Sequence, residues 1–221
     1  MSYQDFCKAM ELAPKCEDFY SRGGTTEAQI QKAEAMLGVQ FSRQCREFYL
    51  KHNYISFSGY EIAGISPDSV FPLAGNAVAT ALADRKKWGL PEKWIPLLDE
   101  GFDDLVVYLD YSQLNVEGEP RIIEAVYTNG EHLDDFDDEG FEEGQEPEGY
   151  CRYMINEVLA EDFGAYMLSL IKEELEATAS SATSDSVKSE KPGSDSKKEQ
   201  LRRSRQTCNN WKKKLWPHSV I

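Results

Sequence analysis

Three runs rich in β-forming side chains follow one another through the middle of the chain: "WIPLLD" from Trp94, "DDLVVYLDY" from Asp103 and "PRIIEAVY" from Pro120. Each is β-branched or apolar, and acidic or Gly-containing turns separate them, so they read as three strands in succession. The "NVEGE" from Asn115 to Glu119 is a hairpin connection between the last two. A short strand, "YEIAGIS", precedes them.

Helical patterns flank this block. In "TTEAQIQKAEAMLGVQF", Thr26 and Gln29 form a capping box, and Ile30, Ala33 and Leu37 share a face. Gly38 stands where a left-handed C-cap belongs. A second helix runs from about Ser42 to His52, with Cys45, Phe48 and Tyr49 on one side. Residues 75–88 return to helical composition. In "MINEVLAEDFGAYMLSLIKEELEA", Ile155, Leu159, Phe163, Met167, Ile171 and Leu175 recur every four residues, which predicts a docked helix weakened at Gly164. Helices, adjacent strands and a closing helix predict an α+β domain, a largely antiparallel sheet packed by N-terminal and C-terminal helices.

The 221 residues, 41% of them hydrophobic, suffice for one globular domain with appendages. No apolar run approaches the roughly 20 residues of a membrane helix, and "MSYQDFCKAM" carries no leader pattern, so a cytoplasmic protein is expected. Cys7, Cys16, Cys45, Cys151 and Cys208 are odd in number and include no CxxC pair, which predicts reduced thiols rather than disulfides or a zinc site.

Charge divides the chain in two. Residues 1–177 hold 35 Asp and Glu against 14 Lys and Arg, a net of −21, whereas residues 178–221 hold 4 against 10, a net of +6. The body should repel nucleic acid and attract basic surfaces. Residues 178–200, Ser/Thr/Lys/Glu-rich with one valine, read as a flexible linker. Residues 201–221, "LRRSRQTCNNWKKKLWPHSVI", combine basic charge with Trp211 and Trp216, a mixture suited to RNA or an anionic membrane surface, or to folding back on the acidic body.

Several joints of the body resemble the SUKH superfamily, the Smi/Knr-like domain of bacterial immunity proteins and a fungal cell-wall regulator. The first helix carries Ile30, Glu34, Leu37 and Gly38; the second ends in Phe48, Tyr49 and Leu50 before Asn53. Ile62, Gly64 and Ile65 follow, then "RKKWGLPEKWIPLLDEGFDDLVVYLDYS" with Leu109 and Asp110 near its end, and the closing "LAEDFGAYMLSLI". The resemblance covers residues 25–175. It departs at Phe41-Ser42, where the family commonly has Leu-Pro; serine can still cap the helix. Such a signature specifies packing more than chemistry. It implies a non-catalytic immunity protein that binds and neutralises a toxin, often a nuclease.

Between the third predicted strand and the closing helix lies "DDFDDEGFEEGQEPE", nine carboxylates in fifteen residues without one Lys or Arg. Three readings apply to it. Asp135, Asp137, Glu139, Gly140 and Glu146 fall at positions 1, 3, 5, 6 and 12 of a calcium loop, but Glu139, Glu142 and Pro147 depart from that pattern. A solvated loop pinned by its aromatic residues is the plainest reading. In the third, Asp134, Asp135, Asp137, Asp138, Glu139, Glu142, Glu143 and Glu146 join Asp103, Asp104 and Glu131 to imitate a phosphate backbone for a Lys/Arg-lined groove. Phe136 and Phe141 would then serve as apolar anchors.

Catalysis finds little support. The only histidines are His52, His132 and His218, and no GxSxG, HExxH, P-loop or GxGxxG occurs. Nothing in the sequence calls for a cofactor. A binding domain is expected, with an adaptor joining an acidic domain to a basic RNA- or membrane-contacting tail as the alternative.

Overall fold

A computed structural model describes residues 2–69, 75–99, 105–127 and 153–184. Helix α1 (Ser2–Leu12) opens the chain and is followed by a short 3-10 turn and strand β1 (Tyr20–Ser21). Helices α2 (Glu27–Leu37) and α3 (Arg43–Lys51) come next, then β2 (Ile55–Phe57), β3 (Tyr60–Ile62) and α4 (Ala77–Trp88). Four strands, β4 (Trp94–Asp99), β5 (Leu105–Leu114), β6 (Pro120–Tyr127) and β7 (Tyr153–Ala160), precede the closing helix α5 (Phe163–Ser184). The first three strands form one antiparallel sheet in the order β1-β2-β3, and the others a second in the order β4-β5-β6-β7. Ala63 N–H donates to Leu97 C=O at 2.8 Å and ties the two sheets together. The α+β architecture is the expected one, and β4, β5 and β6 coincide with the three central runs.

Helix α2 has both of its predicted caps. Thr26 Oγ1 accepts from Gln29 N–H at 3.3 Å, and Gly38, at φ 69°, closes the helix onto Glu34 C=O. Only half of the capping box forms, because the Gln29 side chain donates instead to Asp68 at 2.6 Å. Ile30, Ala33 and Leu37 are buried, as their spacing requires. Asn53 sits at φ 56°, and its side chain both accepts from Ile65 N–H and donates to Ile65 C=O. A Cβ on Gly64 would stand 2.7 Å from Asn53 C=O, so the two residues fit only together.

Two expectations need correction. The segment expected to begin the closing helix is strand β7 up to Ala160; the helix starts at Phe163, where Asp162 Oδ1 accepts from Ala165 N–H at 2.9 Å. Register shifts between Ile122 and Ile123 and between Glu124 and Ala125 mark two bulges in the β6–β7 pairing. They place Tyr153, Ile155 and Val158 opposite Tyr127, Ala125 and Ile123. Apolar residues on one face are therefore two and three apart, and the period of 2 that marks a strand is lost. At its other end α5 continues to Ser184, so residues 178–184, expected to start the linker, are helical.

Gly164 is a packing requirement rather than a weak point. A Cβ there would lie 2.6 Å from Phe6 N and 2.8 Å from Gln44 Oε1, where α1 and α3 approach α5. Phe163 fills the space beside it, with its ring 6.0 Å from Phe6 and 5.3 Å from Phe48. Gly164→Ala should therefore lower the unfolding free energy by about 1–3 kcal/mol through forced separation of these helices, despite alanine's better helix propensity. Urea denaturation of both proteins measures it, and an unchanged midpoint would contradict the packing described.

Candidate functional site

The acidic candidates Asp103, Asp104, Glu131 and residues 134–148, with the calcium-loop positions among them, lie outside the described residues, as do His132, His218 and residues 201–221. The segments carrying those acidic residues nevertheless have well-defined endpoints. The chain leaves β4 at Asp99 and enters β5 at Leu105; it leaves β6 at Tyr127 and enters β7 at Tyr153. Leu105 pairs with Val126, and Tyr127 pairs with Tyr153. Both connections thus begin and end at one end of the four-stranded sheet.

An aromatic cluster runs from that end along the sheet. The Trp88 ring lies 5.0 Å from Tyr127, which lies 5.4 Å from Tyr153. Tyr153 lies 6.1 Å from Tyr108, and Tyr108 5.6 Å from Trp94, mostly in tilted or edge-on geometries. Trp94, Tyr108 and Tyr153 are buried. Pairs of this kind add roughly 0.5–1.5 kcal/mol each beyond burial.

Beneath the sheet surface lie two buried carboxylates that the sequence reading did not single out for a role. Asp110 is fully buried and accepts from Arg121 Nε at 2.8 Å, Arg121 Nη2 at 2.8 Å and Ser112 N–H at 2.9 Å. Glu119, 2% exposed, accepts from Gln44 N–H at 3.1 Å, so a carboxylate from the β5–β6 turn caps α3. The expected cap, Ser42, occupies the N-cap position without a capping hydrogen bond. Ser42 Oγ and Glu119 Oε2 are both buried. Burial pushes the Glu119 carboxyl above its usual range, and Asp162 and Glu117 add to this, against lowering contributions from Ser42 and Gln44 N–H. The local signal for Glu119 was absent: a Glu after Gly in a polar turn reads as surface.

His52 and Cys45 are engaged in capping and packing. His52 caps α3, stacks on Phe48 at 6.2 Å and shares a hydrogen bond of 3.2 Å with Ser21 Oγ. Among the described residues no carboxylate hydrogen-bonds to its ring, and burial, helped by Lys51, lowers its pKa. The buried Cys45 thiol is pushed up to about 12, which keeps it protonated and unreactive. No group of three or more His, Cys, Asp or Glu among the described residues could hold a metal. A groove of about 550 Å³ beside Gly38, Lys93, Tyr111 and Leu114 uses its charges internally. Lys93 Nζ donates to Gly38 C=O at 2.7 Å, and Glu34 accepts from Phe41 N–H and Arg46. No helix among the described residues is long and apolar enough to cross a membrane.

Two measurements test these buried charges. Arg121→Ala leaves the buried Asp110 charge without its cation and should cost about 3 kcal/mol of stability, read by urea denaturation; a loss below about 1 kcal/mol would show that water replaces the guanidinium. A folded-state pKa raised above 4.5 means that Glu119 favours folding most at low pH and loses that contribution as pH rises through its native pKa. Glu119→Gln, which keeps the acceptor for Gln44 N–H, should flatten stability against pH just above 4.5, whereas an unaltered profile would show that Glu119 titrates normally.

The fold and its buried joints agree with what comparison with other proteins finds. A search of curated proteins returned no match to the chain. The model of the SMI1 / KNR4 family (SUKH-1) matches residues 24–169, which takes in α2 through the first turns of α5, and the chain belongs to that family.

Proposed function

We propose that this chain is a non-catalytic protein-binding domain of the immunity or regulatory type, which engages a basic protein partner, such as a nuclease toxin, through acidic surface. The observation that carries this reading is the convergence of both acid-rich connections on one end of the sheet. Segment 100–104 contributes three carboxylates, and segment 128–152 contributes ten against a single basic residue, Arg152. Membership of the family supports a binding or regulatory role. The charge supports the sign of the partner. The roles of Asp103, Asp104, Glu131 and the carboxylates from Asp134 to Glu146 as partner contacts belong to this proposal, as does the anchoring role of Phe136 and Phe141.

Exposed like charges attract a basic partner over a screening length of about 10 Å at 0.1 M salt. Steering of this kind acts chiefly on the association rate. A partner captured from the native host should be basic, and its association rate should fall by about tenfold or more between low and high salt. Neutralising Asp134, Asp135, Asp137 and Asp138 to Asn should remove most of that dependence. A rate flat across salt would refute electrostatic docking. Heat on titration with millimolar calcium would instead favour the metal-loop reading of Asp135, Asp137, Glu139 and Glu146.

A further inference from the structure

Strand β7 is the outer strand of its sheet: among the described residues it pairs with β6 alone. Its residues 154–158 are all exposed, including Met154 at 48% and Val158 at 51%. Outer strands are normally protected by Lys, Pro or a covering element, yet residues 153–160 contain no Lys, Arg or Pro. Residues opposite each other in register share a face. Ile155 and Val158 therefore stand beside Ala125 and Ile123, an apolar face, whereas Glu157 stands beside Glu124 on the other, with Met154 beside Val126. The edge is thus two-sided in chemistry: aliphatic on one face, anionic on the other.

We propose that this edge is the docking site of the chain's own segment 211–215, which adds to β7 as a fifth strand. In an extended strand alternate residues face opposite sides. The segment reads Trp211, Lys212, Lys213, Lys214, Leu215, so Trp211 and Leu215 meet the Ile155 and Val158 face while Lys212 and Lys214 lie on the face of Glu157. Lys213, on the apolar face, lays its aliphatic stem along it and carries its ammonium to solvent. The two bulges limit added pairing to a short segment, which matches five residues.

Reach and charge both favour this occupant. Helix α5 places Ser184 about 33 Å from its own start, while the 26 residues from 185 to 210 can span roughly 85 Å when extended. Tethering sets a local concentration on the order of millimolar, so a weak contact is populated. Residues 178–221 carry +6 against −21 for residues 1–177. A second copy of β7 would instead bring Glu157 against like charge. This inference goes beyond the binding function proposed above and does not depend on it.

Residue-resolved hydrogen exchange on the full-length chain tests the docking. The outward amides of residues 154–158, those not bonded to β6, should exchange at least about tenfold faster in Lys212→Glu/Lys214→Glu/Leu215→Asp than in the parent, with the remainder of the sheet unchanged. High salt should have the same effect on the parent. Val158→Lys, at an exposed position, should release the segment without unfolding the sheet and speed the same amides. Equal exchange in parent and variants overturns the proposal. So does protection that persists in the tail variant, which would assign the cover to segment 128–152, and protection that rises with protein concentration, which would assign it to a second copy.

Discussion

Four separate parts of the chain meet at the buried side chain of Gln44. Its backbone N–H is received by Glu119 from the β5–β6 turn, its Oε1 receives Gly164 N–H from α5 at 2.6 Å, and Phe6 of α1 packs against the same glycine. Gln44 is wholly buried, so each of these bonds forms in a medium where an unmade one would cost about 1–3 kcal/mol. The position of the helical layer on the sheet follows from this joint. Glu119 fixes where the β5–β6 turn meets α3, and Gly164 fixes how closely α1 and α5 approach.

Where local chemistry decides the structure, the sequence was readable. Helix α2 has a side chain that caps its start, a glycine that ends it and three apolar residues on one face, and all of them act locally. Strands β4, β5 and β6 were readable because their side chains are apolar enough to be buried on both faces, as Val107 to Leu109 and Ile122 to Ile123 are. Strand β7 was not, because two bulges changed its apolar spacing to a helix-like one. The cap of α3 and the close contact at Gly164 depend on residues tens of positions away, which no local window contains. Of the candidate site, the sequence revealed the carboxylates themselves; their common origin at one sheet end is a matter of strand pairing.

Asp110 and Glu119 also show why a strongly acidic chain need not be acidic throughout in its effect. Both are consumed inside, one by Arg121 and one by the start of α3. Several surface carboxylates are likewise engaged: Glu27 and Glu34 by Arg46, and Asp68 by Lys32 and Gln29. Exposed pairs of this kind contribute little stability, but they remove charge from the side of the domain that carries α2 and α3. What remains unbalanced in the sequence is concentrated in the segments that join the strands.

The facing tyrosines Tyr127 and Tyr153 separate architecture from what is inserted between them. Since the entropy of closing a connection grows only with the logarithm of its length, doubling the 25 residues between them would cost about 0.6 kcal/mol. Length there can change at little cost while the sheet below keeps its register. The hairpin base works as a socket whose register does not depend on the length of what is inserted.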